Sequence, residues 1–590
     1  MFLVFVGLGF LLFGPWGENF ITLGWLYFCA LWARRLAVRM SPSQGVVFGA
    51  RLWERRRSRV RFPASPPLPR VCCIFSRVCT ALFKNGFVFV DGEVGGMSQR
   101  EVTLDELTDL CLRRGFVFPS GRIYGGLSGF FDYGPLGVEL ARNVLNDWWR
   151  WFVETRDDMY GIDGAIITHP RTWEASGHVE SFIDYIVVCE KCGTEYRADH
   201  LLEDLGIKIP EYTAETLKRL IEEHNVKCPA CGGRLSGPQR FNLMFSVEVG
   251  PRKSVTAYLR PETAQLIFTN FKNVVFSMGA TLPFGIAQIG KAFRNEISPR
   301  NFLFRLREFT QMEIEYFVNP EKLDECPRFG EVAGLEVNML TAEDQERGIG
   351  EARKMTLGEA VEAGIVKSKW HAYWIGESIK WLHGLGLRPE RLRVREHVKT
   401  ELAHYAVQTF DVEYYFPYMG WKEIEGIANR SDYDLKRHIQ YSGEALHIVD
   451  DGKTVVPYVI EPSFGLERIV MAVLTDAYVR EEKRTLLKLK PKIAPYKAAV
   501  FPLVKRDGLD VKAREVYDRL RRVVRCYYDE DGSIGKRYAK ADEIGVPFTI
   551  TIDGQTLTDN TVTIRFRDTK QQVRENVEKL PEKILQLVNT

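Results

Sequence analysis

The sequence predicts a mixed α and β protein, with an α+β domain followed by a smaller C-terminal α/β domain. The first observation is a stretch that reads as two β-strands, about Gly285–Glu296 and Leu303–Phe317, joined by the polar loop Ile297–Phe302. Strands joined by so short a loop pair antiparallel. The second is the alternation of strand and helix patterns after Lys497, which is typical of a mostly parallel α/β domain. The 590 residues suffice for about three to four domains.

Composition excludes some classes of protein. The chain is 45% hydrophobic and 27% charged, which is ordinary for a globular protein in water. Its net charge is only +3, so a nucleic-acid surface would have to be local. The eleven cysteines are partly grouped in pairs and form no secreted disulfide pattern, which favours a reducing compartment. We therefore expect a cytoplasmic protein without a membrane partner.

The first ninety-six residues look unlike the rest. Two apolar runs, Met1–Phe13 and Phe20–Ala33, are each shorter than the ~20 residues that span a bilayer. From Arg51 the segment is basic, Pro-rich and aperiodic, which indicates disorder. Ser58–Ala64 can be encoded by AGC CGG GTT CGA TTC CCG GCT, a stem and loop like the T arm of a tRNA gene. We expect residues 1–96 to be spurious or disordered, with translation starting at Met97; a membrane-anchoring or targeting extension is the alternative.

Helices and turns open the main part of the chain. Leu104–Arg114 has apolar residues at helical spacing, and Leu136–Thr155 is a longer amphipathic helix. Between them, the glycines of IYGGLSGFFDYGPLG permit tight turns. Gly164–Thr168 reads as a strand. A long helix followed by a strand is therefore predicted here.

Two Cys-x-x-Cys knuckles follow. Cys189 and Cys192 form the first, Cys228 and Cys231 the second, and each continues with Gly. Four thiolates at this spacing suit tetrahedral Zn²⁺, and a four-ligand site leaves no position open for water, so the zinc would be structural. Reduced, unliganded pairs and a redox dithiol are the alternatives. The charged insert between the knuckles, residues 197–226, is predicted to be helical.

The hairpin carries charges of both signs on one face. Alternation places one set of side chains together on each strand: Gln288, Arg294 and Glu296 on the first, and Arg305, Arg307, Phe309, Gln311, Glu313 and Glu315 on the second. The opposite face of the second strand carries Leu306, Met312 and Ile314, which suit a core. Paired cations and carboxylates suit a zwitterionic or phosphorylated ligand. A solvated outer face of the sheet is the alternative.

These residues carry a family resemblance. FRNE at Phe293–Glu296 and FRLREFTQME at Phe304–Glu313 resemble motif 2 of class II aminoacyl-tRNA synthetases, in the form found in the homodimeric glycyl-tRNA synthetases. RPETAQ at Arg260–Gln265 and EPSFGLER at Glu461–Arg468, the latter resembling motif 3, match the same family in the same order. Shorter matches are the glycine-rich stretch near Tyr124, YRADHL after the first knuckle, residues 404–411 and GWKEIEGIA at 420–428. The resemblance covers roughly Val102 to the C-terminus.

The resemblance implies a domain plan. Residues 97–490 would form a class II catalytic domain on a mainly antiparallel sheet, with a zinc-knuckle insertion at about 185–240 and a helical insertion or layer at about 320–400. Residues 491–590 would form an anticodon-binding domain, in which Gly532–Tyr538 suits a single-stranded RNA loop or is only a solvated turn. The long helix and following strand would be motif 1, which builds a homodimer.

The resemblance also implies residue roles. The expected catalytic residues are Arg294, Glu296, Arg307, Glu423 and Arg468. The expected glycine-binding residues are Arg197, Glu262, Phe309, Gln311, Glu313, Glu461, Ser463 and Gly465. The expected ATP-binding residues are Arg294, Asn295, Glu296, Phe304, Arg305, Arg307, Phe309, Glu423, Ile424, Gly465 and Arg468. Glu423 would also face Mg²⁺, because a hard cation between phosphates prefers carboxylate oxygen.

Together these expectations describe a tRNA-charging enzyme. It would activate glycine with ATP to glycyl-adenylate and transfer the glycyl group to the 3′ end of tRNA(Gly), with Mg²⁺ and structural Zn²⁺. A class II synthetase for another amino acid is the nearest alternative. A non-catalytic, nucleic-acid-binding accessory subunit is another, although such relatives lose motif residues and Arg294, Glu296, Glu423 and Arg468 are all present. Synthesis of dinucleoside polyphosphates could coexist with charging.

Overall fold

The computed structural model describes residues 3–5, 10–12, 101–252, 255–403, 405–482 and 484–589. The chain divides into two compact units, Met1–Met97 and Ser98–Thr590. In the first, β1 (Leu3–Phe5) pairs antiparallel with β2 (Phe10–Leu12). The other predictions for residues 1–96, and the family match at His404, lie outside the described residues. None of the helices in the described part of the chain has the length and apolar character that crossing a bilayer requires.

Residues 101–278 begin as predicted. The helices here are α1 (Leu104–Arg114), α2 (Pro135–Trp149), α3 (Pro170–Ser176), α4 (His178–Ser181), α5 (Ala198–Glu203), α6 (Ala214–Glu223) and α7 (Ala264–Met278). The strands are β3 (Val117–Pro119), β4 (Phe131–Tyr133), β5 (Met159–Ile162), β6 (Ile167–Thr168), β7 (Ile183–Val188), β8 (Glu195–Arg197), β9 (Gln239–Asn242), β10 (Ser246–Val249) and β11 (Val255–Leu259). Thr103 and Glu106 form a capping box at the start of α1, and Gly115 ends it with φ of 75°. The helix predicted to reach Thr155 continues past α2 only as a π-helix, and the strand predicted at Gly164 is shortened to β6.

Residues 284–487 supply most of the central sheet. The strands are β12 (Phe284–Phe293), β13 (Glu308–Val318), β14 (Glu336–Leu340), β15 (Arg353–Thr356), β16 (Leu392–Glu396), β17 (Gln408–Phe416), β18 (Gly420–Ser431), β19 (Ile448–Asp450), β20 (Lys453–Val455), β21 (Tyr458–Gly465), β22 (Tyr478–Glu481) and β23 (Arg484–Leu487). The helices are α8 (Ala342–Glu346), α9 (Leu357–Glu362), α10 (Lys369–Leu385), α11 (Tyr433–Ser442) and α12 (Leu466–Ala477). Among the described residues, nine strands form one sheet in the order β15-β14-β16-β17-β18-β21-β13-β12-β5. All its pairings are antiparallel except β14 with β16 and β12 with β5, which confirms the predicted fold class.

The predicted hairpin is present, but its loop is longer than expected. β12 ends at Phe293 and β13 begins at Glu308. Asn301 and Phe302 adopt positive φ angles of 62° and 56°, which take the chain out of extended geometry. The strand boundaries predicted at Glu296 and Leu303 were therefore wrong, and Arg294, Glu296, Arg305 and Arg307 lie on the loop rather than on strand faces.

A layer of helices covers one face of the sheet. α2, α10 and α12 pack against it, and Trp148, Trp374, Trp381 and Phe464 lie in the shared core. α10 is the helical layer expected between residues 320 and 400. The same region also contributes β14, β15 and β16 to the sheet, and these strands were not predicted.

The C-terminal region forms its own sheet. Its helices are α13 (Leu509–Leu520), α14 (Ile534–Glu543), α15 (Gly554–Asp559) and α16 (Leu580–Asn589), and its strands are β24 (Ala498–Pro502), β25 (Cys526–Tyr528), β26 (Phe548–Ile552), β27 (Thr561–Phe566) and β28 (Gln572–Asn576). Within the described residues the order is β25-β24-β26-β27-β28, with β25, β24 and β26 parallel and the other pairings antiparallel. The sequence pattern over Asp568–Leu587 predicts one helix, and this prediction is wrong, because the first half is β28 and only the second half is α16.

One face of this sheet packs into the same core as the nine-stranded sheet. On β24, Ala499 and Phe501 belong to the main core, whereas Ala498 and Val500 belong to a second core under α13 and α16. The sequence of the preceding segment, residues 489–495, predicts a linker. It is packed rather than loose: Ile493 and Ala494 are fully buried, and Asn143 of α2 donates to both of their carbonyl oxygens at 3.2 and 3.0 Å.

Candidate active site

A pocket of about 430 Å³ opens on the other face of the central sheet. Its floor comes from three neighbouring strands, because Gln311 and Glu313 of β13 lie opposite Gly465 and Ser463 of β21, and Gly426 of β18 lies on the other side of Ser463. Its walls come from the loop between β12 and β13. The face predicted to bind a zwitterionic or phosphorylated ligand is therefore an enclosed floor rather than a solvated sheet surface.

Most of the predicted site residues line this pocket. They are Glu262, Arg294, Glu296, Phe304, Arg305, Phe309, Gln311, Glu313, Glu423, Ile424, Glu461, Ser463, Gly465 and Arg468. Motif segments that are far apart in sequence are thus brought together by the β13–β21–β18 ladder.

Acidic and amide side chains form the pocket floor. Ser463 Oγ donates to Glu313 Oε1 at 2.6 Å, and Gln311 Nε2 donates to Ser463 Oγ at 3.3 Å. The Thr263 backbone N–H donates to Gln311 Oε1 at 3.1 Å, and its hydroxyl donates to Glu313. These contacts hold Gln311 and Glu313 in fixed positions beside the start of α7. The floor can therefore offer carboxylate oxygens to a small cation.

A buried network beneath the floor was not found from the sequence. The Arg430 guanidinium donates to both oxygens of Asp434 at 2.7 and 2.9 Å and to Glu461 at 2.8 Å. Gln265 Nε2 bridges Asp434 at 2.9 Å and Glu262 at 3.1 Å. Because Arg430 lies on β18 and Asp434 on α11, no short motif joins them to the predicted glutamates; only a buried i, i+4 Arg–Asp pair could have signalled them.

Burial and neighbouring charges give the carboxyl groups of the floor different pKa values. Burial raises the pKa of Glu461 to about 8 despite the contact with Arg430. Burial, with the charge of Glu262, also raises the pKa of Glu313. For Glu262 the upward effect of burial is outweighed by His178, at 3.2 Å, and by Arg430, so its pKa lies below the usual range. Near neutral pH the floor holds Glu262 as a carboxylate.

One further carboxyl lies behind the floor. Glu315 is fully buried, and neither of its carboxyl oxygens has a hydrogen-bond partner in the described part of the chain. Oxygens of Glu313, Glu315 and Glu461 lie within 4.8 Å of one another. Burial, with the charge of Glu461, raises the pKa of Glu315 well above the usual value and so favours its neutral form.

Cationic side chains line the opposite wall. Arg294 donates from Nε to Pro261 O at 3.1 Å, and its guanidinium lies 5.2 Å from the centre of the Phe309 ring. Arg468 pairs with Glu423 at 3.0 Å and lies over the Phe304 ring at 4.6 Å. Arg305 lies 3.6 Å from Glu296. Flat guanidinium groups held by aromatic rings can bind phosphate and carboxylate oxygens.

Three predicted residues do not line the pocket. The Arg307 guanidinium donates to Glu296 O at 2.9 Å and to Ser128 O at 3.0 Å, so it fastens loops together. The Asn295 backbone N–H donates to Leu243 O at 2.7 Å. Arg197 pairs with Asp184 at 2.8 Å and with Asp199. Their assigned roles remain predictions.

Another side of the pocket was also missed. Arg395, His397 and Asp411, from β16, the chain after it and β17, line the pocket. His397 Nε2 lies 2.8 Å from Asp411, and Arg395 lies 3.1 Å from the same carboxylate. Asp411 ends the family match at residues 404–411, whereas Arg395 and His397 lie in the region read only as a helical layer, where no pattern connected them to the motifs.

The four predicted zinc ligands come together in the insertion. Free thiols Cys189, Cys192, Cys228 and Cys231 have sulfur atoms within 4.8 Å of one another. Cys189 Sγ lies 3.5 Å from Cys231 Sγ, and Cys192 Sγ lies 3.7 Å from Cys228 Sγ. The donor set and its spacing fit a tetrahedral thiolate site.

Comparisons with known proteins give the family. A family model described as "tRNA synthetase class II core domain (G, H, P, S and T)" matches residues 245–477, and one described as "Anticodon binding domain" matches residues 497–587. A glycine–tRNA ligase of Treponema denticola is 42% identical over 492 residues, covering 81% of this chain and 95% of the relative. That of Geobacillus kaustophilus is 45% identical over 491 residues, covering 80% and 96%.

A solved structure supports the same fold. The crystal structure of prolyl-tRNA synthetase from Cryptosporidium parvum, complexed with halofuginone and AMPPNP, matches with a TM-score of 0.50 and 13% identity, over 82% of this chain and 77% of that one. At this identity the likeness concerns the fold alone. The relatives and the class II core model confirm the resemblance drawn from the motifs: the chain belongs to the glycine–tRNA ligase family of class II tRNA synthetases.

Proposed function

We propose that this chain is a glycyl-tRNA synthetase, which activates glycine with ATP and transfers the glycyl group to the 3′ end of tRNA(Gly). The observation that carries the proposal is that an acidic floor and a wall of arginines line the same pocket. Glycine is a zwitterion with an ammonium group close to its reacting carboxylate, and ATP is a polyanion. A pocket with both signs of charge on opposite sides orients these two substrates toward each other.

The floor holds the amino acid. Glu262, ionised and fixed by Gln265 and His178, accepts the glycine ammonium. Glu313, Glu461, Ser463 and Gln311 surround it, and a side chain on the α-carbon would have to displace them. Arg294, held by Pro261 O, faces the glycine carboxylate and the α-phosphate. Selection of glycine is then steric, and no editing step is needed.

Adenylate formation needs no general base, because the carboxylate is already a nucleophile. Its oxygen attacks the α-phosphate in line and pyrophosphate leaves. Arg294, Arg305 and Arg468 stabilise the charge that spreads over the phosphoryl oxygens. Arg468 must exchange its contact with Glu423 for the γ-phosphate. A tRNA 3′-terminal hydroxyl then attacks the adenylate carbonyl and releases AMP.

Glu423 is the residue that would hold Mg²⁺. Its side chain is 46% exposed in the pocket, so its oxygens can reach a bound cation. A carboxylate next to phosphates suits this hard ion. When bound, Mg²⁺ would neutralise phosphate charge.

Structural zinc, a homodimer and the cytoplasm complete the proposal. The four thiols of the insertion would hold Zn²⁺. β5 is an edge strand of the central sheet and follows α2, which leaves a strand edge for a second copy. Reduced thiols suit the cytoplasm. The C-terminal sheet with the segment Gly532–Tyr538, which is the turn before α14 and the first turn of that helix, would contact the anticodon of tRNA(Gly). Arg537 of this segment is buried and donates to Pro502 O at 2.6 Å, so it would not take part. Residues 1–96 would be dispensable.

The test is ATP–pyrophosphate exchange with each of the twenty amino acids. We expect exchange with glycine alone, by the full chain and equally by Met97–Thr590. Exchange that depends on another amino acid would show that this amino acid, and not glycine, is the substrate. No exchange in folded protein would favour an accessory subunit, and activity of the full chain alone would show that residues 1–96 are needed.

A further inference from the structure

An exposed apolar cluster lies on the loop between β3 and β4. Ile123, Tyr124 and Leu127 are 86%, 89% and 61% exposed, whereas such side chains are usually at least half covered. The surrounding backbone is ordered: Tyr124 N–H donates to Gly121 O at 2.8 Å, and Gly126 N–H donates to the same oxygen at 3.1 Å. A defined turn therefore presents these three side chains to solvent. We call residues 120–130 the hairpin tip.

The hairpin tip is fastened to the catalytic loop. Arg307 donates from its backbone N–H to Gly129 O and from its guanidinium to Ser128 O, each at 3.0 Å. A Cβ on Gly129 would lie 2.7 Å from Pro299, so the two loops touch there. Phe131, just after the tip, packs edge-on against Phe302 with ring centres 5.4 Å apart. The tip is thus packed against the loop whose residues Glu296 and Arg305 line the active-site pocket.

The charges of the hairpin tip and of the adjoining loop indicate one kind of partner. Residues 120–130 contain no acidic side chain, and Arg122 makes no ion pair within the described residues. Arg300, on the adjoining loop, is 42% exposed and lies 3.8 Å from Asp204. An exposed aromatic ring on a turn that also carries an exposed arginine suits unpaired nucleotides, which offer base faces and phosphates.

The transfer step brings such a strand to the pocket beside this loop. In the proposed function the RNA 3′ end must pass the edge of the pocket to reach the adenylate. We propose that the hairpin tip docks this unpaired 3′ end, with a base stacked on Tyr124 between Ile123 and Leu127 and a phosphate near Arg122. The inference rests on the proposed function and adds the surface that receives the second substrate.

The test separates the two half-reactions. In the full chain, Tyr124→Ala should leave glycine-dependent ATP–pyrophosphate exchange within about twofold of wild type. Its kcat/KM for charging a tRNA(Gly) transcript should fall about ten- to hundredfold, the usual effect of losing one stacked base. Tyr124→Phe, which keeps the ring, should charge normally. Arg122→Ala should lower RNA affinity and reduce the salt dependence of binding by about one phosphate contact.

Binding of RNA hairpins locates the contact. Tyr124→Ala should weaken binding of an acceptor-stem hairpin with an unpaired 3′ tail and not of the same hairpin without the tail. Equal losses for both hairpins, or normal charging by Tyr124→Ala, would refute the proposal. Dissociation of an oligomer by Tyr124→Ala in sedimentation would instead assign the tip to contact with a second copy. Absence of exchange in the wild-type protein would refute the proposed function itself.

Discussion

Replacement of Arg430 by Met tests whether the buried network supports the glycine site. The side chains of Arg430, Asp434 and Glu461 are 1%, 1% and 9% exposed, so none can be solvated by a small shift. Arg430→Met keeps a long side chain but leaves two buried carboxyls without their cation. Breaking such a pair costs about 3–5 kcal/mol. That loss corresponds to roughly a 150- to 5,000-fold faster exchange of the α11 amides through local opening.

Hydrogen exchange with mass spectrometry measures this change, because α11 carries Asp434. A matched control lies on the same helix: Lys436 pairs with Asp432 at 2.7 Å, but the lysine is 63% exposed. Lys436→Met should cost less than about 1 kcal/mol. Arg430→Met should also raise the KM for glycine in exchange assays, since Arg430 fixes Glu461 and is one of the charges that lower the pKa of Glu262. Equal protection of α11 in the two variants would refute the argument that this network is a buried, mutually dependent unit.

Three other substitutions test separate parts of the structure. Glu262→Gln keeps the shape of the pocket floor but removes the charge proposed to bind the ammonium; kcat/KM for glycine should fall about 10- to 100-fold while the KM for ATP stays unchanged, and an unchanged glycine dependence would remove Glu262 from the site. His371 is fully buried, donates from Nε2 to Ile427 O at 3.0 Å, and burial lowers its pKa to about 4. The unfolded chain takes up this proton below about pH 6.5 and the folded chain does not until about pH 4, so stability should fall by roughly 1.4 kcal/mol per pH unit as pH drops through that window. His371→Gln should flatten that part of the urea-midpoint profile, and identical profiles would contradict the assignment. Cys228→Ser should abolish zinc in metal analysis and lower the midpoint for thermal unfolding, whereas Cys326→Ser, outside the cluster, should keep about one zinc per chain; full zinc in Cys228→Ser would exclude the site.

Sequence patterns predicted the parts of the site that are local. The motifs around Arg294, Glu313 and Glu461 fall on β12–β13 and β21, and alternation correctly placed Gln311, Glu313 and Glu315 on one face. It failed at Arg305 and Arg307, because two positive φ angles in the loop end the strand geometry that alternation assumes. Arg307 consequently binds backbone carbonyls rather than lining the pocket.

Other residues could not be predicted because only tertiary packing joins them. Arg430 reaches Asp434 across the end of β18 and Glu461 across the sheet, while His397 reaches the pocket from the chain after β16. The strand β28 was read as helix because Asp568–Leu587 is rich in charged residues that both structures accept on a surface. β28 is an edge strand with little burial, so it lacked the apolar alternation that marks a strand.

The strand β24 has a mechanical consequence. Its odd and even residues belong to two different cores, so the C-terminal sheet cannot rotate away from the catalytic part without separating Ala499 and Phe501 from the main core. A flexibly tethered module would search for its partner at an effective concentration set by its tether. Here the distance between the active-site pocket and the C-terminal sheet is fixed by the packing of β24. An RNA that engages both must therefore match that spacing by its own length and bend, because the protein has no hinge at β24 with which to compensate.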